Sequence, residues 1–221
     1  MTLLFKPVKE ALKAVAFKYL RLGAPTYPYC IEPIQLATLI NQFERVKDMR
    51  GCIIEIGVAR GMTSRFIAEH IKNQRMADTT PYFAIDTFES FTKADLDYEV
   101  ASRGKNLLDL KGFEYNDFEV WKSHFAEFPF VKAIKSDCAS FDYSALGPVK
   151  LVFLDVDLYL PIKKTLPKIF EALVTGGAIV VDDVLNDTTY DGAYQAFMEF
   201  CAERNIEPQV IGNRCGLIVK N

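Results

Sequence analysis

The 221-residue sequence has no excess of one charge, no paired-cysteine motif and no long apolar run. Its 29 acidic and 26 basic side chains leave a net charge of −3. This balance argues against a nucleic-acid partner, because binding phosphates favours a basic face. The five cysteines are scattered, odd in number and without a CxxC pair, so we expect reduced thiols in a cytoplasmic protein, with Cys52 and Cys138 buried. We also expect neither a signal peptide nor a membrane-spanning segment.

Half of the residues are hydrophobic and a quarter are charged, which is typical of a soluble globular protein with one core. Residues 3–23 form a basic amphipathic pattern. We expect this segment to pack on its own domain, or on a partner in a homodimer or higher homo-oligomer, rather than on a membrane. The predicted organisation is a helical cap over residues 1–50 and a main domain over 51–221, together forming a single domain overall.

Apolar runs alternate with helical patterns in the main domain. Strands are predicted in GCIIEIGVA (51–59), PYFAIDTF (81–88), VKAIKSD (131–137), KLVFLDVD (150–157) and AIVVDDV (178–184). Helices are predicted over 33–48, 61–73, 161–174 and 192–205, the third of them ended by Gly176 and Gly177. Residues around Asn213 and Arg214 should form a terminal hairpin. This alternation predicts an α/β fold with a doubly wound, mostly parallel sheet.

Two pairs of aspartates end neighbouring predicted strands. Asp155 and Asp157 end the fourth strand, and Asp182 and Asp183 end the fifth. The carboxyl ends of parallel strands face one crevice, where open α/β sheets bind ligands. Because burying several acids together is costly without a positive partner, and carboxylates are preferred ligands of hard divalent cations, the pairs predict a metal site.

The first strand leads into a glycine-containing turn, EIGVARGMT (55–63). Gly57 permits a tight turn and Gly61 opens the next helix. Asp86, at the end of the second strand, is placed to bind ribose hydroxyls, and Asp137, at the end of the third, to reach an adenine amino group. Either aspartate could instead cap a local turn. A crevice rich in acids suits a sulfonium better than a pyrophosphate, which favours S-adenosylmethionine over a nicotinamide cofactor.

From Gly51 to Phe200 the sequence resembles class I S-adenosylmethionine-dependent methyltransferases, and most closely the sugar O-methyltransferases acting on macrolide and aminocoumarin antibiotics. The resemblance rests on EIGVARGMT, DTFESF (86–91), DVDLY (155–159), VVDDV (180–184) and YDGAYQAFMEF (190–200). It implies a Rossmann-like fold with a mostly parallel seven-stranded sheet. The chain departs from the family at Leu160–Ile162 and at Tyr194, which leaves the acceptor open: a natural-product sugar, a polysaccharide or another polyol.

The resemblance also implies roles for individual residues. Asp157 is the expected general base, and Asp155, Asp182 and Asp183 the expected ligands of Mg²⁺ or another hard divalent cation. The expected cofactor-binding residues are Glu55, Gly57, Gly61, Thr63, Asp86, Thr87, Asp137, Cys138 and Asp155.

Residues 88–128 have little strand character and are predicted to be an insertion that covers the substrate, with a helix over 117–127. His124 is an alternative base if that segment folds over the site. Three other functions stay open: a catechol-type O-methyltransferase with Phe88, Phe91 and Trp121 lining an aromatic pocket, a non-catalytic S-adenosylmethionine-binding protein, and, ranked last, a nicotinamide oxidoreductase.

Overall fold

The computed structural model describes residues 5–20 and 26–221. These residues divide into two compact units, with the boundary between Cys30 and Ile31. The first unit contains helix α1 (Phe5–Tyr19), and the ends of the predicted amphipathic segment lie outside the described residues. Helix α2 (Pro33–Val46), which we predicted to belong to the N-terminal cap, lies in the second unit and contacts the sheet. No helix of the described residues is long and apolar enough to cross a bilayer.

The second unit is built on a seven-stranded, mostly parallel sheet, as predicted. The strands are β1 (Cys52–Ile56), β2 (Tyr82–Asp86), β3 (Val131–Lys135), β4 (Val149–Leu154), β5 (Leu173–Val181), β6 (Gln209–Ile211) and β7 (Cys215–Val219). Their order is β3-β2-β1-β4-β5-β7-β6. The first five strands are mutually parallel, and β7 runs antiparallel to both β5 and β6. The strand order reverses between β1 and β4, which is where such sheets bind ligands.

Helices flank this sheet. They are α3 (Met62–Asn73), α4 (Lys93–Arg103), α5 (Phe118–His124), α6 (Tyr159–Ala172) and α7 (Gly192–Glu203), with a short 3₁₀ helix at Tyr143–Leu146. Strands β1 and β4 are buried along their whole length, as expected for central strands covered on both faces. Cys52 and Cys138 are buried among these apolar side chains, as predicted.

The prediction that Gly176 and Gly177 end a helix is wrong. Helix α6 ends at Ala172, and both glycines lie inside β5. The pairing of β5 with β4 jumps from Leu173 to Ala178, so the residues between them bulge from the ladder. Gly176 adopts φ 81° in that bulge, where its N–H donates to Lys220 O at 2.6 Å. The glycines therefore permit a bulge, because a residue without Cβ enters the left-handed region at little cost.

Candidate active site

The backbone ladder brings the predicted site residues to one edge of the sheet. Beyond the last paired residues, Asp155 N–H donates to Ile56 O at 2.8 Å and Asp182 N–H donates to Leu154 O at 2.9 Å. The three strand ends are thus in register. The structure consequently places Asp155 beside the β1–α3 turn and the second aspartate pair one strand further along the same edge.

The two pairs share a local backbone conformation. The second aspartate of each pair has a positive φ, 59° at Asp157 and 53° at Asp183. Such a conformation costs an ordinary L-residue about 1–2 kcal/mol, although aspartate tolerates it better than most. The second aspartate of each pair therefore lies in the left-handed region just beyond its strand, and backbone strain of this kind concentrates at functional sites.

Burial and repulsion from neighbouring carboxylates raise the pKa of Asp155, Asp157 and Asp182. Burial raises the pKa of Asp155 well above its usual range, and repulsion from Asp182 and Asp157 raises it further. Burial and repulsion from Asp183 do the same for the pKa of Asp157. Burial, followed by repulsion from Asp183, raises the pKa of Asp182 to about 7. The cluster is short of positive charge, as the sequence suggested.

Sequence analysis missed two partners of this cluster. Arg214 Nη2 lies 2.7 Å from Asp183 Oδ1, and its backbone carbonyl accepts a hydrogen bond from Val184 N at 2.9 Å. The buried Gln35 of α2 donates its Nε2 to Asp182 Oδ1. Arg214 is recognisable in the sequence as a basic residue of the predicted hairpin. Its position beside Asp183 depends on β7 lying antiparallel to β5, which the hairpin pattern does not predict.

The donor chemistry of the cluster fits the implied metal, since buried, mutually repelling carboxylates are suitable ligands for a hard divalent cation. Across residues 5–20 and 26–221, however, no group of three or more His, Cys, Asp or Glu side chains is arranged so that it could hold an ion. A cation would compete with Arg214 for Asp183 and with Gln35 for Asp182. The metal site therefore stays a prediction.

The turn after β1 depends on glycine at two positions. Gly57 has φ 83°, and a Cβ there would lie 1.7 Å from the backbone oxygen of Asp155. Gly61 has φ 82° and is the N-cap of α3, where a Cβ would lie 2.6 Å from the Phe125 ring. Both positions thus exclude every other residue at the observed geometry. Thr63 is buried in the first turn of α3.

Glu55 is held inside the protein beneath this turn. Its carboxylate accepts hydrogen bonds from Ser64 Oγ at 2.6 Å and from the Tyr82 hydroxyl. Burial raises the pKa of Glu55 to about 7, although both hydrogen bonds oppose the rise. Direct contact of Glu55 with a cofactor stays a prediction.

The other predicted cofactor residues hold local turns. Asp86 accepts Val58 N–H at 2.7 Å and Phe88 N–H at 2.6 Å, and Thr87 Oγ1 donates to Ser90 O at 2.9 Å. Asp137 accepts Ala139 N–H at 2.9 Å, and the carbonyl of the buried Cys138 accepts the Tyr143 hydroxyl at 3.0 Å. A carboxylate has about four acceptor positions. Asp86 also accepts Ala59 N–H at 3.3 Å and lies 3.4 Å from Thr87 Oγ1, so local donors occupy most of its positions, whereas Asp137 retains capacity for a ligand. The ligand roles of both aspartates stay predictions.

The segment 88–128 contacts the β1–α3 turn. Asn116 Nδ2 donates to Ala59 O at 3.0 Å, and Arg65 of α3 pairs with Glu127 at 2.8 Å. The predicted helix forms over Phe118–His124. His124 at the end of this helix is exposed, whereas Trp121 is buried. This segment therefore supports the turn, and its predicted role of covering the substrate is not established.

Helix α4 of the same segment links the loops that follow both aspartate pairs. The buried Glu99 accepts Tyr159 N–H, at the start of α6, at 2.7 Å, and it pairs with Arg103 at 2.8 Å. Arg103 also pairs with Asp191, the N-cap of α7, at 2.5 Å. These bonds fix the positions of the two loops relative to each other.

Several solved structures are similar to this chain in fold. The O-methyltransferase NovP is similar in structure, with a TM-score of 0.69 and 16% identity over 89% of this chain and 83% of that chain. The calicheamicin methyltransferase CalS11 gives a TM-score of 0.64 at 16% identity over 97% and 86% of the two chains. The apo structure of CalS11, described as a TDP-rhamnose 3′-O-methyltransferase, gives 0.60 at 16% identity over 93% and 86%.

At these identities the solved structures establish the Rossmann-like methyltransferase fold, and no curated protein sequence matches the chain. The macrocin-O-methyltransferase (TylF) family model matches residues 34–213, which include strands β1 to β6, the glycine turn and both aspartate pairs. The chain is therefore a methyltransferase that belongs to the macrocin-O-methyltransferase (TylF) family.

Proposed function

We propose that the protein transfers a methyl group from S-adenosylmethionine to a hydroxyl of a sugar, either on a natural product or in a polysaccharide. The observation that carries the proposal is the cluster of two aspartate pairs at the sheet edge that also carries the glycine turn, where Asp155 O faces Gly57. A methyl donor on the turn and an acceptor hydroxyl at the cluster would then be neighbours. Holding two reactants in contact supplies much of the rate of such a transfer.

Asp157 is the proposed general base. A carboxylate with a raised pKa is a better proton acceptor than an ordinary one, and burial and neighbouring acids raise the pKa of Asp157. It would take the proton of the acceptor hydroxyl as the oxygen attacks the sulfonium methyl. Asp155, Asp182 and Asp183 are the proposed ligands of Mg²⁺ or another hard divalent cation, which would supply Lewis-acid stabilisation of the developing alkoxide when bound.

Three observations favour a sugar acceptor over a catechol. The matching family model is a macrocin-O-methyltransferase, and CalS11 is described as acting on TDP-rhamnose. The aromatic pocket suggested for a catechol would need Phe88 and Trp121, which are 1% and 2% exposed and pack against each other. We propose a small-molecule or glycan acceptor, no nucleic-acid partner and a homo-oligomeric enzyme. We also propose a cytoplasmic location, which the scattered thiols, four of them buried, support.

The test is a methyl-transfer assay with labelled S-adenosylmethionine and two acceptors, a sugar nucleotide and caffeate, with and without excess EDTA. We expect transfer to the sugar nucleotide, none to caffeate, and loss of transfer in EDTA. Transfer to caffeate alone would refute the sugar proposal. Full transfer in EDTA would refute the metal proposal and leave the methyltransferase reaction standing.

A further inference from the structure

The only tryptophan of the sequence, Trp121, has a buried indole N–H without a hydrogen-bond partner in the described protein. The residue is 2% exposed. A buried donor that gives up water without finding an acceptor costs free energy. An acceptor from outside the described chain, either a ligand or a trapped water, would remove that cost.

The donor lies against the β1–α3 turn. A Cβ built on Gly61 would be 3.0 Å from Trp121 Nε1. Gly61 is the N-cap of α3, a helix of 12 residues, and provides no side-chain cap. The first N–H groups of a helix lack intrahelical partners and favour an anion. The indole N–H and the start of α3 therefore supply donors in the same place.

The indole is held firmly in this position. Its ring stacks on Phe125 with centroids 4.0 Å apart and meets Phe88 edge to face at 5.5 Å. Asn116, a few residues earlier, is tied to Ala59 of the turn. The N–H therefore cannot turn to solvent without breaking this packing, and it remains directed at the turn.

The chemistry of the cofactor identifies a suitable acceptor. S-adenosylmethionine carries a sulfonium, an ammonium, an adenosine and one carboxylate, and the carboxylate is its only anionic group. The aspartate cluster beyond the turn would repel a carboxylate, whereas the start of α3 would attract it. We infer that Trp121 donates its indole N–H to the carboxylate of the methionine portion of the bound cofactor.

This inference rests on the proposed use of S-adenosylmethionine. The first experiment uses the wild-type protein, so that a failure to bind the cofactor would be seen directly. Because the chain has one tryptophan, ¹⁵N-labelled protein gives a single indole N–H resonance in NMR. We expect a downfield shift of its proton on adding S-adenosylhomocysteine, which has the carboxylate. Adding 5′-methylthioadenosine, which lacks the amino-acid portion, should produce a much smaller shift.

The second experiment is calorimetry on Trp121→Phe, which keeps an aromatic ring and removes the N–H. We expect about ten-fold weaker binding of S-adenosylhomocysteine, since a hydrogen bond to a charged group is lost. The affinity for 5′-methylthioadenosine should change by less than about two-fold. Phe125→Leu is the control, because it disturbs the stacking and keeps the donor, and it should affect both ligands alike.

The outcomes separate the two proposals. Equal weakening of both ligands by Trp121→Phe, or no change with either, would overturn the inference and leave the indole with a packing role or a trapped water. The same indole shift with both ligands would also overturn it. Failure of the wild-type protein to bind S-adenosylhomocysteine would refute the proposed function itself, together with the inference that depends on it.

Discussion

Replacing Glu55 by glutamine should stabilise the protein at neutral and alkaline pH. Burial raises the pKa of Glu55 from its ordinary 4.5 to about 7, despite hydrogen bonds from Ser64 and Tyr82. In the unfolded chain the same carboxyl group ionises at its ordinary value. Since the folded protein holds the proton more tightly than the unfolded chain does, this group lowers stability as pH rises from 4.5 to 7.

The size of the effect follows from the two pKa values. One pKa unit corresponds to about 1.4 kcal/mol, so the interval from 4.5 to about 7 amounts to about 3 kcal/mol once pH exceeds the folded-state value. Glutamine has nearly the same shape and does not ionise, and the hydroxyl groups of Ser64 and Tyr82 can still bond to it. For a chain of this length the gain corresponds to a rise in Tm of about 6–12 °C.

The assay is denaturant unfolding of the wild type and Glu55→Gln at pH 5 and pH 8. We expect the difference in unfolding free energy between the two proteins to be about 2.5 kcal/mol more favourable to the variant at pH 8 than at pH 5, because a small part of the effect is already present at pH 5. Glu119→Gln, at an exposed position of α5, is the control for adding an amide. A difference that does not grow with pH would refute the reasoning from burial. Loss of cofactor affinity in Glu55→Gln would support its predicted place in the cofactor site without affecting the stability result.

Three further predictions concern the crevice. Asp157→Asn should bind the cofactor as the wild type does in calorimetry, but its turnover should fall at least about a hundred-fold. General-base catalysis typically contributes a factor of about 10²–10⁴ to the rate. Near-normal turnover would exclude Asp157 as the base. Gly57→Ala should lower the unfolding free energy by about 3 kcal/mol or more and abolish cofactor binding. The reason is that the added Cβ would lie 1.7 Å from Asp155 O, at a residue whose φ is 83°. A variant with the melting temperature of the wild type would contradict the turn geometry. Arg214→Gln should lower the unfolding free energy by about 1–2 kcal/mol, since it removes the positive partner of Asp183. On the metal proposal, Mg²⁺ should restore part of this loss. Thermal melts with and without Mg²⁺ measure both effects.

The strand pattern and the two aspartate pairs were predictable because they depend on local sequence. Branched apolar runs of the right length form buried parallel strands, and such strands present their carboxyl ends at a common edge. The glycine turn and the final hairpin are local features of the same kind. The fold and the positions of these acids at one edge of the sheet could therefore be predicted from the sequence, and the observed sheet agrees with the predicted fold.

Partners distant in sequence could not be predicted in this way. Arg214 reaches Asp183 only because β7 inserts antiparallel beside β5, and Gln35 reaches Asp182 only because α2 packs on the sheet. Likewise, the sequence predicts an insertion over 88–128 but does not predict that Trp121 packs on the turn at Gly61.

The sequence by itself therefore determined which acids meet at the crevice, since strand direction and strand ends are local properties. The tertiary structure alone decided which side chains neutralise or support them. Those contacts depend on how separate segments pack, and the free energy of packing is a property of the whole fold rather than of any one segment.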